Sequence, residues 1–273
     1  MCVCGVARHC PGSAASARVA EMEAWKGLSG FLEWLPVADR TAGFYDNVIT
    51  TTDWRVSRPF FQVGGVAGGL KQFFQVAGSR LQRRVEAGTG AKPVFAAAGI
   101  PGTVGAGSKA IWRELAPLLL PSRAFGIWPF DGNLGEILAQ HPVVLAEIYP
   151  RACYGLALGS GIPCTPIAIK KTNGAHRRSA LCMLSTAHWV KDLAVTIMDG
   201  DWAEDNEDDF DALVSAAALL RLCVTRPDLL DGPDSLGSSP EVEGGILGRS
   251  GVTFRAKNER CARRGSLEKE ASA

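Results

Sequence analysis

The chain has 273 residues, 47% hydrophobic and 21% charged, with a formal net charge of +1. That length suffices for one large or two small domains with a sizeable core, and the near-neutral balance gives no bulk electrostatic reason for a nucleic-acid or membrane partner. No apolar run approaches the roughly 20 residues of a membrane span, and the opening MCVCGVARHCPGSAASARVA lacks the lysine-led and apolar regions of a signal peptide.

In chain order, residues 1–20 are rich in Ala, Ser, Gly and Cys and show no periodicity, which predicts a disordered segment. Cys2, Cys4 and Cys10 lack a fourth ligand at metal-site spacing, and the other five cysteines are scattered singly. This pattern fits idle thiols in a reducing cytoplasm better than a zinc site or a disulfide framework. GFLEWLPV reads as a short helix or its end, and residues 65–85 as helix interrupted by glycines. KPVFAAAG reads as a short buried strand, followed by AGIPGTVGAGSKA and a helix over 108–120 with Ile111, Leu115 and Leu118 on one face.

The glycine stretch has nearly the spacing of a phosphate-binding loop. Gly102 and Gly107 are placed for it, but Ser108 precedes Lys109, and the chemistry needs the lysine first and the hydroxyl directly after it. A helix N-terminus that accepts an anion and a plain tight turn are the two readings that survive this reversal.

Further on, FGIWPFDG predicts a short strand leading into a turn, and HPVVLAEIYP a buried strand ended by proline. GAHRRSALCMLSTAHWVKDLAV is helical. EDDFDALVSAAALLRLC is a second helix, with an apolar stripe of Phe210, Leu213, Val214, Ala217 and Leu220. PDLLDGPDSLGSSPEVEGG is a long loop, and residues 249–273 predict a disordered, charged tail. Strands alternating with helices indicate a layered α/β domain.

Two acids stand out. Glu147 lies in an apolar strand, where a carboxylate must be paired, protonated, bound to a cation, or turned to a solvated edge. Asp211 flanks the apolar stripe of its helix and shares a face with Asp208, next to Glu204, Asp205, Glu207 and Asp209. Acids at a helix start are also the ordinary choice for the helix dipole. Carboxylates from a strand and a distant helix, converging at one end of a sheet, suit Mg²⁺ or Mn²⁺ and phosphodiester hydrolysis. Lys170, Lys171, Arg177 and Arg178 in IKKTNGAHRR are placed either for phosphate contact or as a solvated helix start.

WPFDG, VVLAEIYPR, KKTNGAHR, EDDFDALVSAAAL and EGGILG follow one another as in the uncharacterised DUF429 family, which the chain resembles. VGAGS matches the family's glycine motif, and FLEWL a helix nearer its start. The match runs from about Phe31 to Gly248, inside a domain of residues 30–248, with residues 1–29 unmatched. The resemblance implies an α/β fold of the ribonuclease H-like kind, a mixed sheet flanked by helices. It also implies nuclease-type chemistry with Glu147 and Asp211 as catalytic and metal-binding acids, Asp208 as a further metal ligand, and Lys171 and Arg177 as phosphate-binding cations. In such a loop GTVGAGS needs no lysine.

The family opens on a strand carrying an aspartate, whereas the first aspartate here is Asp39. The N-terminal strands and their metal ligand are therefore expected to be missing. Two function classes remain. One is a metal-dependent nuclease or phosphodiesterase impaired by that loss. The alternative is a non-catalytic interaction or nucleic-acid-binding protein on the same fold. An ATP-handling enzyme built on GTVGAGSK is a third.

Overall fold

The computed structural model describes residues 83, 85, 86, 89–92, 103, 104, 106, 107, 124–197, 200–237 and 244–254. Residues 1–29, the FLEWL helix, most of 65–85, nearly all of the KPVFAAAG strand, the helix over 108–120 and residues 255–273 lie outside them. The described residues are mixed α/β, mostly helical, with a two-stranded parallel sheet. They fall into two compact units, Met1–Glu147 with Leu236–Gly245, and Ile148–Ser235 with Ile246–Ala273. One boundary between the units falls inside VVLAEIYP.

In the first unit, β1 (Phe125–Ile127) pairs in parallel with β2 (Val143–Leu145), and α1 (Leu134–Gln140) connects them. The register sets Phe125 opposite Val143 and Ile127 opposite Leu145. The turn after β1 closes on Asp131, whose carboxylate accepts the Ile127 N–H at 2.7 Å. A capping box starts α1: Asn133 accepts the Glu136 N–H at 2.9 Å, and Glu136 accepts the Asn133 N–H at 3.0 Å. Ile127, Trp128 and Ile137 fill this part of the core. Gly126 faces Ile137 so closely that a Cβ there would collide with it.

The strand and turn expected from FGIWPFDG are present. HPVVLAEIYP differs from its prediction as one long buried strand. Only Val143–Leu145 is strand, and Val143 is 48% exposed. Pro150 does not end that strand. It opens a helix, at the one position where a missing N–H costs nothing.

That helix, α2 (Pro150–Leu158), begins the second unit. It is followed by α3 (Gly174–Thr186), α4 (His188–Asp192), α5 (Trp202–Asp205) and α6 (Glu207–Thr225). Asn173 caps α3, accepting the Ala175 N–H at 2.9 Å, and Asn206 caps α6, accepting the Asp208 N–H at 2.8 Å. The expected single helix from Gly174 onward breaks at Ala187 into α3 and α4.

On α6 the buried row is Phe210, Val214, Ala218 and Leu222, an i, i+4 ridge, while Leu220 of the predicted stripe is 41% exposed. Helices pack along such ridges, so the fifth-residue drift of the predicted stripe turns Leu220 out of the contact. Leu156 and Leu184 complete this core, and the Tyr154 and Phe210 rings meet at 5.6 Å.

Arg221, buried, closes the end of α2 by donating to the carbonyls of Leu156 (2.6 Å) and Gly159 (2.8 Å). Its guanidinium lies 5.7 Å from the centre of the Trp189 ring, whose own N–H donates to Ala157 at 2.7 Å.

Residues 249–254, expected to belong to a disordered tail, are structured. Gly248 turns the chain with φ +77, Arg249–Gly251 forms a 3-10 turn, and buried Val252 bridges to Cys164. Among the described residues no helix is long and apolar enough to cross a membrane.

Gly155 on α2 admits the backbone of Thr165, whose carbonyl oxygen would stand 2.5 Å from a Cβ. Gly155→Ala is expected to destabilise the chain by about 1–3 kcal/mol despite alanine's better helix propensity. A urea-unfolding midpoint equal to or above the parent's would contradict that close approach.

Candidate functional site

Glu147 lies just past the C-terminal end of β2, largely buried, and its charge is met by a protein cation. Arg83, fully buried, donates from Nη1 to Glu147 Oε2 at 2.8 Å and from Nη2 to Oε1 at 2.7 Å, a bidentate pair. The same guanidinium serves Glu86, with Nε and Nη2 donating to Glu86 Oε1 at 3.1 and 2.9 Å. The Arg83 backbone N–H donates to Glu86 Oε2 at 2.8 Å. Burial pushes the Glu86 carboxyl above the usual range, against the pull of Arg83. Of the fates open to an acid in an apolar run, pairing is the one realised here.

In the second unit, Asp211 sits one turn into α6 with both oxygens engaged. Tyr154 of α2 donates its phenol to Oδ1, and Lys171 donates to Oδ2 at 2.5 Å. Asp208 is on the same side of the helix but 88% exposed, and reaches Lys171 only at 4.0 Å. Burial, then the hydrogen bond to Asp211, raises the Tyr154 pKa well above its ordinary value, so the phenol remains a donor. Burial lowers Lys171, but the hydrogen bond and charge of Asp211, with Glu207 and Asp208, outweigh it and leave it raised. Neither group is a general base near neutral pH. Burial also pushes the Cys153 thiol up to about 11, offset in part by Ser215, and Cys164 up to about 11, so neither is an activated nucleophile.

Arg177, expected as a phosphate-binding cation, faces the interior. It is buried, and its donors go to backbone carbonyls: Nε to Glu204 at 2.7 Å, Nη2 also to Glu204, and Nη1 to Lys171 at 2.5 Å. It fixes the loop that carries Lys171. Arg178 pairs with Glu204 at 2.7 Å on the surface.

The structure therefore brings together Asp211, Lys171 and, at its edge, Asp208, with Arg177 behind them, while Glu147 belongs to the other unit. Among the described residues no group of three or more His, Cys, Asp or Glu side chains is arranged to hold a metal ion. With Tyr154 and Lys171 on Asp211, and Arg83 on Glu147, the residues present do not fit Mg²⁺ or Mn²⁺.

The glycine motif enters a capped helical turn. Thr103 Oγ1 accepts the Ala106 N–H at 3.2 Å, and the Thr103 carbonyl accepts the Gly107 N–H at 3.0 Å. These two amides are spent on the chain itself rather than on a ligand. Ser108 and Lys109 lie outside the described residues.

Two partners were missed by sequence reasoning. Tyr154 had a signal: a proline followed by Ala152, Cys153, Gly155 and Ala157 is a helix start with small packing residues, and it carries one phenol. Arg83, one of several basic residues in RLQRR, had none. Matched against family models, curated proteins and solved structures, the chain finds no counterpart in any of the three.

The Asp211 pairs have a signature at high pH. Because the folded-state pKa of Lys171 lies above its ordinary 10.5, its stabilising contribution is full below the unfolded value and is lost as pH rises through the folded one. The gap in urea midpoint between the parent and Lys171→Met should hold steady from about pH 7 to about pH 9 and shrink towards about pH 11. Tyr154→Phe should cost about 1.5–3 kcal/mol, as expected for a hydrogen bond to a charged, mostly buried group.

Proposed function

We propose that the chain is built on the ribonuclease H-like nuclease plan and binds nucleic acid without cleaving it. The plan is what the ordered resemblance to the DUF429 family implies. Metal-dependent phosphodiester hydrolysis is the activity of that plan, and in this chain it is silent.

The observation that carries this reading is the pairing at Asp211. A helix acid that ligates a divalent cation balances its charge against that cation. Here Tyr154 and Lys171 each donate to one Asp211 oxygen, and Lys171 supplies the positive charge instead. The same holds for Glu147, whose two oxygens receive the Arg83 fork. Charge compensation by the protein's own cations replaces compensation by a metal. Exposed Lys170 and Arg178 and half-buried Lys171 are the cations of the basic run that solvent reaches. Four of the cysteines are free thiols, which suits the cytoplasmic location proposed with this reading.

The test is cleavage of labelled single- and double-stranded oligonucleotides, DNA and RNA, with Mg²⁺ or Mn²⁺. No product above the metal-only blank is expected, alongside measurable binding. Robust hydrolysis that disappears in Glu147→Gln or Asp211→Asn would falsify the silent-site reading and restore a working metal-dependent nuclease.

A further inference from the structure

Away from Asp211, the second unit carries a cation whose hydrogen-bonding capacity is not used. Arg249 stands on the 3-10 turn that follows Gly248, and its side chain is only 16% exposed. Its Nε is buried and has no hydrogen-bond partner among the described residues. Its one ion pair there, to Asp234, is stretched to 3.9 Å, and Asp234 is itself 75% exposed. A buried guanidinium donor without an acceptor is expensive to keep. The contrast with Arg221 is direct, since Arg221 is buried on the same unit and spends its donors on two carbonyls at 2.6 and 2.8 Å.

An aromatic ring lies beside this cation, and a second ring beside the first. The Arg249 guanidinium carbon lies 5.4 Å from the centre of the Phe254 ring. The Phe254 ring in turn lies 6.3 Å from that of Tyr149, tilted by 30°. Both rings are half-buried. A guanidinium and two rings at one place match what a nucleotide offers to a protein: a planar base to lie against aromatic faces, and a phosphate suited to the guanidinium fork.

We propose that Arg249, Phe254 and Tyr149 form a nucleotide-binding site, in which the phosphate of a single-stranded nucleic acid bonds to Arg249 and its base lies against the Tyr149–Phe254 rings. This deepens the binding reading above and rests on it for the ligand class, but uses none of the residues around Asp211. The same chemistry is present in a free mononucleotide and, for its anionic half, in inorganic phosphate.

The experiment is fluorescence anisotropy of a labelled single-stranded oligonucleotide with the full chain, competed in separate arms by inorganic phosphate and by a mononucleotide. Arg249→Gln is expected to weaken the complex by about 10-fold or more and Phe254→Leu by about 5-fold. The mononucleotide should compete better than phosphate. Asp234→Asn removes the competing carboxylate from an exposed position and should tighten binding by about 3-fold, while Asp205→Asn, an equal charge change elsewhere, should not.

A folded Arg249→Gln or Phe254→Leu chain with parental affinity overturns the site while leaving the binding reading intact. So does phosphate that competes as well as the mononucleotide. If Arg249→Gln does not fold, equal affinities for Asp234→Asn and Asp205→Asn overturn it instead. No binding of any oligonucleotide by the parent chain overturns both.

Discussion

Arg221 closes α2 by donating to the carbonyls of Leu156 and Gly159, and most of what the second unit offers follows from that contact. A nine-residue helix has no room to spread its unsatisfied carbonyls, and here a guanidinium from another helix satisfies them. The contact fixes α6 against α2 in one register and one direction. Arg221 meets the end of α2, and ten residues earlier Asp211 meets Tyr154 near its middle. The Phe210, Val214, Ala218 and Leu222 ridge fills the space between them. Arg221 at one end and the ridge between them set the height at which Tyr154 reaches the Asp211 carboxylate at the other.

The two acids illustrate how a polar group in an apolar setting can be resolved without a ligand. At Glu147 the solution is a buried arginine shared with a second carboxylate. At Asp211 it is a phenol and a lysine from two different segments. Each acid is compensated within its own unit. Burial strengthens each interaction through the low dielectric, and for the same reason leaves little tolerance for an unpaired charge.

Local patterns in the sequence were read well where a single element decides the outcome. FGIWPFDG gives a strand and turn because Asp131 closes on the strand that precedes it, and DDFDALVSAAALLRLC gives a helix because its cap and its apolar positions agree. Reading failed where tertiary packing decides. Proline after an apolar run marked the start of α2 rather than merely the end of a strand, and Val143 is exposed because a run of apolar residues does not say how many faces are covered. Leu220 misses the core because the partner helix follows the i, i+4 ridge. The acids Glu147 and Asp211 were legible as unusual, since their apolar surroundings are written in the chain. Their partners Arg83 and Tyr154 were not, because 64 and 57 residues separate the members of each pair. Arg177 looked like a surface cation because nothing local shows that the carbonyls of Glu204 and Lys171 surround it.

The division into units has a consequence for how this polypeptide can be cut or spliced. The chain passes from one unit to the other at Glu147–Ile148, returns at Ser235–Leu236, and passes over again at Gly245–Ile246. Neither unit is a continuous stretch of gene. A break at the first junction leaves the N-terminal piece without Leu236–Gly245 and burdens the C-terminal piece with a segment foreign to its own core. A single crossover therefore cannot transfer either unit intact.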